Sequence, residues 1–102
     1  MIEVKVSKGL IDISGHADYA EPGKDIICAA FSMLVQNFYW SVNDFTDDCI
    51  VAITEEGQIK QLKLSTLSDG TKLLIQSFAL GVTALAENYP ENINIVTEGA
   101  LF

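Results

Sequence analysis

Two long apolar runs at helical spacing, each preceded by a pair of short β-like stretches, restrict this chain more than any other feature. From Asp25 onward, Ile27, Ala30, Phe31, Leu34, Phe38, Val42 and Phe45 recur every three or four residues. That spacing stacks side chains on one face of a helix. Asp25 stands where an N-cap belongs, so the pattern predicts a helix from about Ile26 to Asn43, broken by Asp47-Asp48. A second helix is predicted from about Gly70 to Asn88, capped by Ser68-Asp69, with Leu74, Ile75, Phe78, Val82, Leu85 and Tyr89 on one face. Pro90 ends it, because proline cannot continue the hydrogen-bond ladder. Ahead of the first helix, Ile2, Val4 and Val6 alternate with Glu3, Lys5 and Ser7, the period of a half-buried strand. Ser7-Lys8-Gly9 turns the chain into a second strand, Leu10 to Ser14. A loop over residues 15–25 follows, marked by Gly15, Pro22 and Gly23. Ahead of the second helix, Cys49–Thr54 and Gln58–Ser65 flank the turn Glu55-Glu56-Gly57. The apolar phase of the returning strand slips between Ile59 and Leu62, which predicts a bulge near Lys60-Gln61. Ile93 to Val96 reads as a last short strand. The order is ββαββαβ. Elements with one apolar face must bury it against another layer. The expectation is an α+β fold: a two-layer sandwich with a roughly five-stranded mixed sheet and both helices on one face.

Composition narrows the function classes. A chain of 102 residues is expected to form one domain, residues 1–102. Apolar residues at 49% against 20% charged mark it as globular rather than disordered. A formal charge of −8 opposes binding to a phosphate backbone and suits a basic partner. No basic-then-apolar leader opens the sequence, and no long window is free of polar groups, so neither a signal peptide nor a membrane span is predicted. The expected compartment is the cytoplasm, where thiols stay reduced. One histidine and two cysteines supply too few soft ligands for a closed zinc site. No metal or cofactor is expected.

That one histidine, His16, and Cys28 lie twelve residues apart across the 15–25 loop. A thiol is a poor nucleophile until it ionises, and near neutral pH only a few per cent of an ordinary thiol has done so. Cys28 falls in the first turn of the predicted helix, where main-chain amides favour an anion by about 0.3–1 kcal/mol. The helix end helps but does not suffice. A nearby imidazolium would supply the rest, and His16 is the sole candidate. Such a pair performs acyl transfer. Against this, a cysteine in an apolar helix is ordinarily a small core residue, and a loop histidine is ordinarily solvated. The helical wheel puts Ile27, Ala30, Phe31 and Leu34 toward the core and Cys28, Ser32 and Val35 on a neighbouring stripe. Cys28 would then sit at the edge of the buried face, within reach of a loop. Spacing alone leaves both readings open.

The whole stretch GHADYAEPGKDIICAAFSMLVQ resembles the signature of the ribosomal-processing cysteine proteases of Firmicutes and their relatives. The matching positions are Gly15, His16, Ala17, Tyr19, Gly23, Asp25, Cys28, Ala29, Ala30 and Ser32. The opening hairpin, the length and the late ENYPENI before a final strand extend the resemblance over the chain. The resemblance implies a catalytic dyad of His16, as base and acid, and Cys28, as nucleophile. It also implies supporting roles for Asp25 and Ser32, for which capping and packing are the plainer alternatives, and a hinge at Gly15 for a mobile loop that gates the site. It further implies a homodimer. The implied substrate is the precursor of a large-subunit ribosomal protein, number twenty-seven, whose short N-terminal extension is removed. Phe31, where a smaller aliphatic residue is common, and the aromatic segment Asn37–Trp40 depart from the pattern.

Two further readings stand beside this one. Relatives occur in phage genomes, where the substrate would be a capsid or scaffold protein. A non-catalytic acidic module binding a basic ribosomal protein would account for the charge but not for the His16–Cys28 pair. Finally, Phe38, Tyr39 and Trp40 cannot all face one sheet at 100° per residue, and Leu73 and Leu80 fall off the main stripe of the second helix. Some apolar surface must find cover elsewhere, and a two-fold partner is the commonest source.

Overall fold

A computed structural model describes residues 1–15, 25–65 and 67–97. The strands are β1 (Ile2–Ser7), β2 (Leu10–Ser14), β3 (Ile50–Glu55), β4 (Gln58–Leu64) and β5 (Ile93–Thr97), and the helices α1 (Ile26–Phe45) and α2 (Asp69–Asn88). Their order is the expected ββαββαβ, and each boundary lies within two residues of its expected place. The five strands form one sheet in the order β3-β4-β2-β1-β5. Neighbours are antiparallel except β1 and β5, which run parallel, so the sheet is mixed.

Register explains which side of the sheet is covered. Val4 pairs with Ile13, Ile11 with Leu62, Ile50 with Leu64 and Ile2 with Ile93. Side chains alternate between faces along a strand, so these apolar residues share one face, and all of them are buried. The opposite face carries Glu3, Lys5, Asp12 and Lys63 among its residues. Both helices cover the apolar face: α1 lies against β3 and β4, and α2 against β5. The helices run antiparallel, since Gly70 approaches Thr46, Gly81 approaches Leu34, and the rings of Phe38 and Phe78 stack with centroids 4.9 Å apart.

The bulge predicted near Lys60-Gln61 is present. Ile53 pairs with Gln61 and Thr54 with Ile59, which leaves Lys60 as the extra residue of β4. On α1, three expected placements are corrected. Ala30 is exposed and Val35 is buried, because the buried arc centres on Phe31, Val35, Phe38 and Val42 rather than on Ala30 and Leu34. Phe45 is 79% exposed; it is the last residue of the helix, beyond the final buried position at Val42. The three consecutive aromatics divide as the geometry requires: Phe38 is buried, Tyr39 half-buried and Trp40 exposed.

A polar knot ties the end of α1 to the start of α2. Thr46 caps α1 and its hydroxyl donates to the Val42 carbonyl at 2.7 Å. The Asp48 carboxylate accepts from the Ser68 amide at 2.7 Å and from the Ser68 hydroxyl at 2.9 Å, and Ser68 in turn caps α2. Fully buried Thr71 brings its hydroxyl to 3.3 Å from Thr46 Oγ1. The Thr71 hydroxyl and the Ser68 amide, with a smaller part from the Ser68 hydroxyl, hold the Asp48 carboxyl below the usual range.

Candidate active site

Asp25 starts the helix that carries the thiol. Its backbone is extended, its carbonyl accepts from the Ala29 amide at 3.2 Å, and its Oδ1 accepts from the amides of Ile27 and Cys28, both at 3.0 Å. This is the N-cap anticipated from the sequence, and it fixes the main chain of Cys28 in the first helical turn. The amides of Ile27 and Cys28 are thus engaged by a carboxylate.

Cys28 is half-buried, at the flank of α1 away from α2. Ser32 and Gln36 follow it at successive intervals of four, so the three side chains form a row along one edge of the helix. All three line a cleft of about 80 Å³. Ile2 of β1 and Ile13 of β2 form one wall with Gly15, and Gly57, Gln58, Ile59 and Lys60 form the other. Phe31 and Val35 close the apolar side. Lys60 Nζ donates to Gln58 Oε1 at 3.4 Å on the rim. The cleft therefore combines an apolar interior with a polar edge.

Gly15 adopts φ +80, a conformation that glycine enters readily, and a Cβ there would run into the Met1 carbonyl oxygen. The chain thus leaves β2 toward His16 along a path that admits no larger residue. His16 itself and the rest of the loop, residues 16–24, lie outside the described residues, as does the gating expected of that loop. Among the remaining expected site residues, Cys28, Ser32 and Gly15 line the cleft, and Asp25 caps the helix that carries Cys28, the plainer of its two expected roles. Cys49 is exposed just before β3 and does not line the cleft. Sequence reasoning did not pick out Gln36, Gln58, Ile59 and Lys60. The four-residue spacing from Cys28 and Ser32 pointed to the first, and the phase slip in β4 pointed to the others.

Comparison with known proteins bears directly on this arrangement. Residues 1–94 match the family model described as cysteine protease Prp. The chain is 34% identical over 101 residues to the ribosomal processing cysteine protease Prp of Mycoplasma genitalium, covering 96% of this chain and 97% of that relative. It is 30% identical to the Staphylococcus aureus protein of the same name, over 91% and 88% of the two chains. The crystal structure of the S. aureus ribosomal processing protease with a covalently linked product peptide superposes with a TM-score of 0.85, at 21% identity over 95% of this chain and 97% of that one, and shows the same fold. A Streptococcus mutans protein of known structure superposes with a TM-score of 0.81 at 28% identity, over 98% and 96% of the chains. The chain belongs to the ribosomal processing cysteine protease (Prp) family, and it is a cysteine peptidase.

Proposed function

We propose that this peptidase removes the N-terminal extension of a large-subunit ribosomal protein, number twenty-seven, with Cys28 as nucleophile and His16 as general base and acid. The observation that carries the reading is the position of Cys28 in a cleft whose wall includes Gly15, the residue joined to His16. His16 takes the thiol proton, and the thiolate attacks the scissile carbonyl carbon. As the tetrahedral intermediate collapses, the imidazolium gives its proton to the leaving amine and a thioester remains on Cys28. Water, deprotonated by the same imidazole, then hydrolyses the thioester and restores the thiol. Asp25 supports the site by fixing the first turn of α1, Ser32 lies one turn beyond the nucleophile, and Gly15 is the hinge of the loop. The net charge of −8 suits a basic ribosomal substrate.

The proposed enzyme acts in the cytoplasm, where ribosomal proteins are made. No helix among the described residues is long and apolar enough to cross a membrane. It acts as a homodimer, and the apolar outer surface of the helix layer supports this: Ile26, Met33 and Trp40 of α1 and Leu73 and Leu80 of α2 are all exposed.

Incubation of the purified protein with a tagged precursor, followed by separation of the products by mass, tests the reading. Loss of the extension is expected. A precursor that is bound but uncleaved would instead identify a non-catalytic acidic module. Cleavage of a phage capsid or scaffold protein with the ribosomal precursor left intact would reassign the substrate.

A further inference from the structure

The two walls of the cleft belong to strands that pair and then separate. β2 and β4 are in register from Leu10–Lys63 to Asp12–Gln61, although β2 continues to Ser14 and β4 begins at Gln58. Over that same stretch β4 stays with β3, down to the pair Glu55–Gln58. The separation coincides with Lys60, the extra residue of β4. A bulge bends its strand and strengthens the local twist. Here it turns β4, together with β3, away from β2, so the sheet forks. The cleft that holds Cys28 is lined by both arms of the fork.

Register also gives the direction of the backbone. The Leu64 amide donates to the Gly9 carbonyl at 2.8 Å, so Gly9 and Leu64 face each other across the β2–β4 junction. Hydrogen-bonding direction alternates along a strand with a period of two. Ile11 therefore faces Leu62, and Ile13, two residues on, turns its N–H and C=O toward the fork rather than toward β1. Its side chain is buried on the helix side of the sheet.

We propose that the substrate enters this fork as an extended strand, hydrogen-bonded through its main chain to Ile13 on one side and to the Ile59–Lys60 stretch on the other, with its scissile carbonyl delivered to Cys28. This deepens the proteolytic reading above and rests on it. A strand in that position continues the sheet, so its side chains alternate between the apolar wall of Phe31 and Val35 and the open face. The site selects an unstructured stretch of polypeptide that can become a strand, with an apolar side chain at every second position. A helical or folded segment has no free main-chain groups to offer. Continuity between the fork and the nucleophile's cleft identifies the occupant as substrate rather than as a separate partner.

Three measurements test the proposal. In a cleavable peptide, single N-methylation at successive residues beside the scissile bond should lower kcat/KM by about tenfold, the worth of one main-chain hydrogen bond, at alternate positions and little between them. With Cys28→Ala and an intact peptide, amide exchange at Ile13 and at Ile59 or Lys60 should slow. Deleting Lys60 should let β4 re-pair with β2 and abolish cleavage. Because that deletion can also disturb folding, the other two measurements on chains that keep the bulge decide. Uniform tolerance of N-methylation with the parent peptide still cleaved, or unchanged exchange at Ile13 when peptide is bound, would overturn the fork. A protein that cleaves no peptide yet protects Ile13 on binding one would retain the fork and refute the proteolytic reading.

Discussion

Replacing the sulfur of Cys28 by oxygen preserves the shape of the side chain and removes its nucleophilicity, because a hydroxyl needs a far stronger base than one imidazole. Cys28→Ser is expected to reduce cleavage below detection while peptide binding, read by fluorescence anisotropy, persists. Cleavage at the native rate would reject the nucleophile. Cys49→Ala is expected to retain activity, since Cys49 lies outside the cleft. Gly15 fails differently when changed. A Cβ at φ +80 strains the backbone by about 1–2 kcal/mol, and it also meets a main-chain oxygen that cannot rotate away. Gly15→Ala should therefore lower the melting temperature by at least about 4 °C for a chain of this size and disturb the pairing of β1 with β2. A fully stable, fully active variant would show that Gly15 carries no conformational demand. His16 and Cys28 were legible as candidates because a short motif keeps both within one stretch of sequence. Ala30 and Val35 were misplaced on α1 because alanine is apolar without being large. Its presence in a pattern says little about which way the face points.

At the level of elements, the caps determine where α1 and α2 begin and how they are joined. Asp25→Ala removes the acceptor for two amides and should cost about 0.5–2 kcal/mol. Because those amides lead into the turn that carries Cys28, kcat should fall with stability, and Asp25→Asn should restore much of both. The knot around Asp48 responds to pH. Its carboxyl is held low in the folded state, so its contribution is present above the ordinary carboxylate range near pH ~4 and is lost as pH falls through the lowered value. Asp48→Asn should melt below the native protein at neutral pH, and the two should converge in acid. A constant difference across the titration would refute the ionic role. The capping residues at 25 and 68 and the slip in β4 were all legible, since each is a local rule expressed by adjacent residues. The strand order and the fork were not. Which strand lies beside which depends on burying several faces together, and no local pattern encodes that.

For the molecule as a whole, the outer surface of the helix layer is the largest departure from an ordinary monomer. Ile26, Met33 and Trp40 recur every seven residues on α1, as do Leu73 and Leu80 on α2, so each set lies along one line of its helix. Trp40 is 51% and Leu80 74% exposed. Sedimentation should give a species near twice 11.1 kDa, and Leu80→Lys should shift it toward the single chain without unfolding it. A native protein that sediments as one chain would reject the dimer. The parallel pairing of β1 with β5 carries a different consequence, in the order of events during folding. β1 and β2 emerge from the ribosome first and can join at once as a local hairpin, and α1, β3 and β4 can follow onto that framework. The other side of β1 must wait for residues 93–97, because Ile2 pairs with Ile93. Until then α2 has an incomplete floor and β1 presents an unpaired edge, the kind of surface that invites pairing with another chain. The half of the sheet that holds the Cys28 cleft is therefore synthesised before the half that completes the fold. Among the described residues, the strand pairing farthest apart in sequence is the last to become possible.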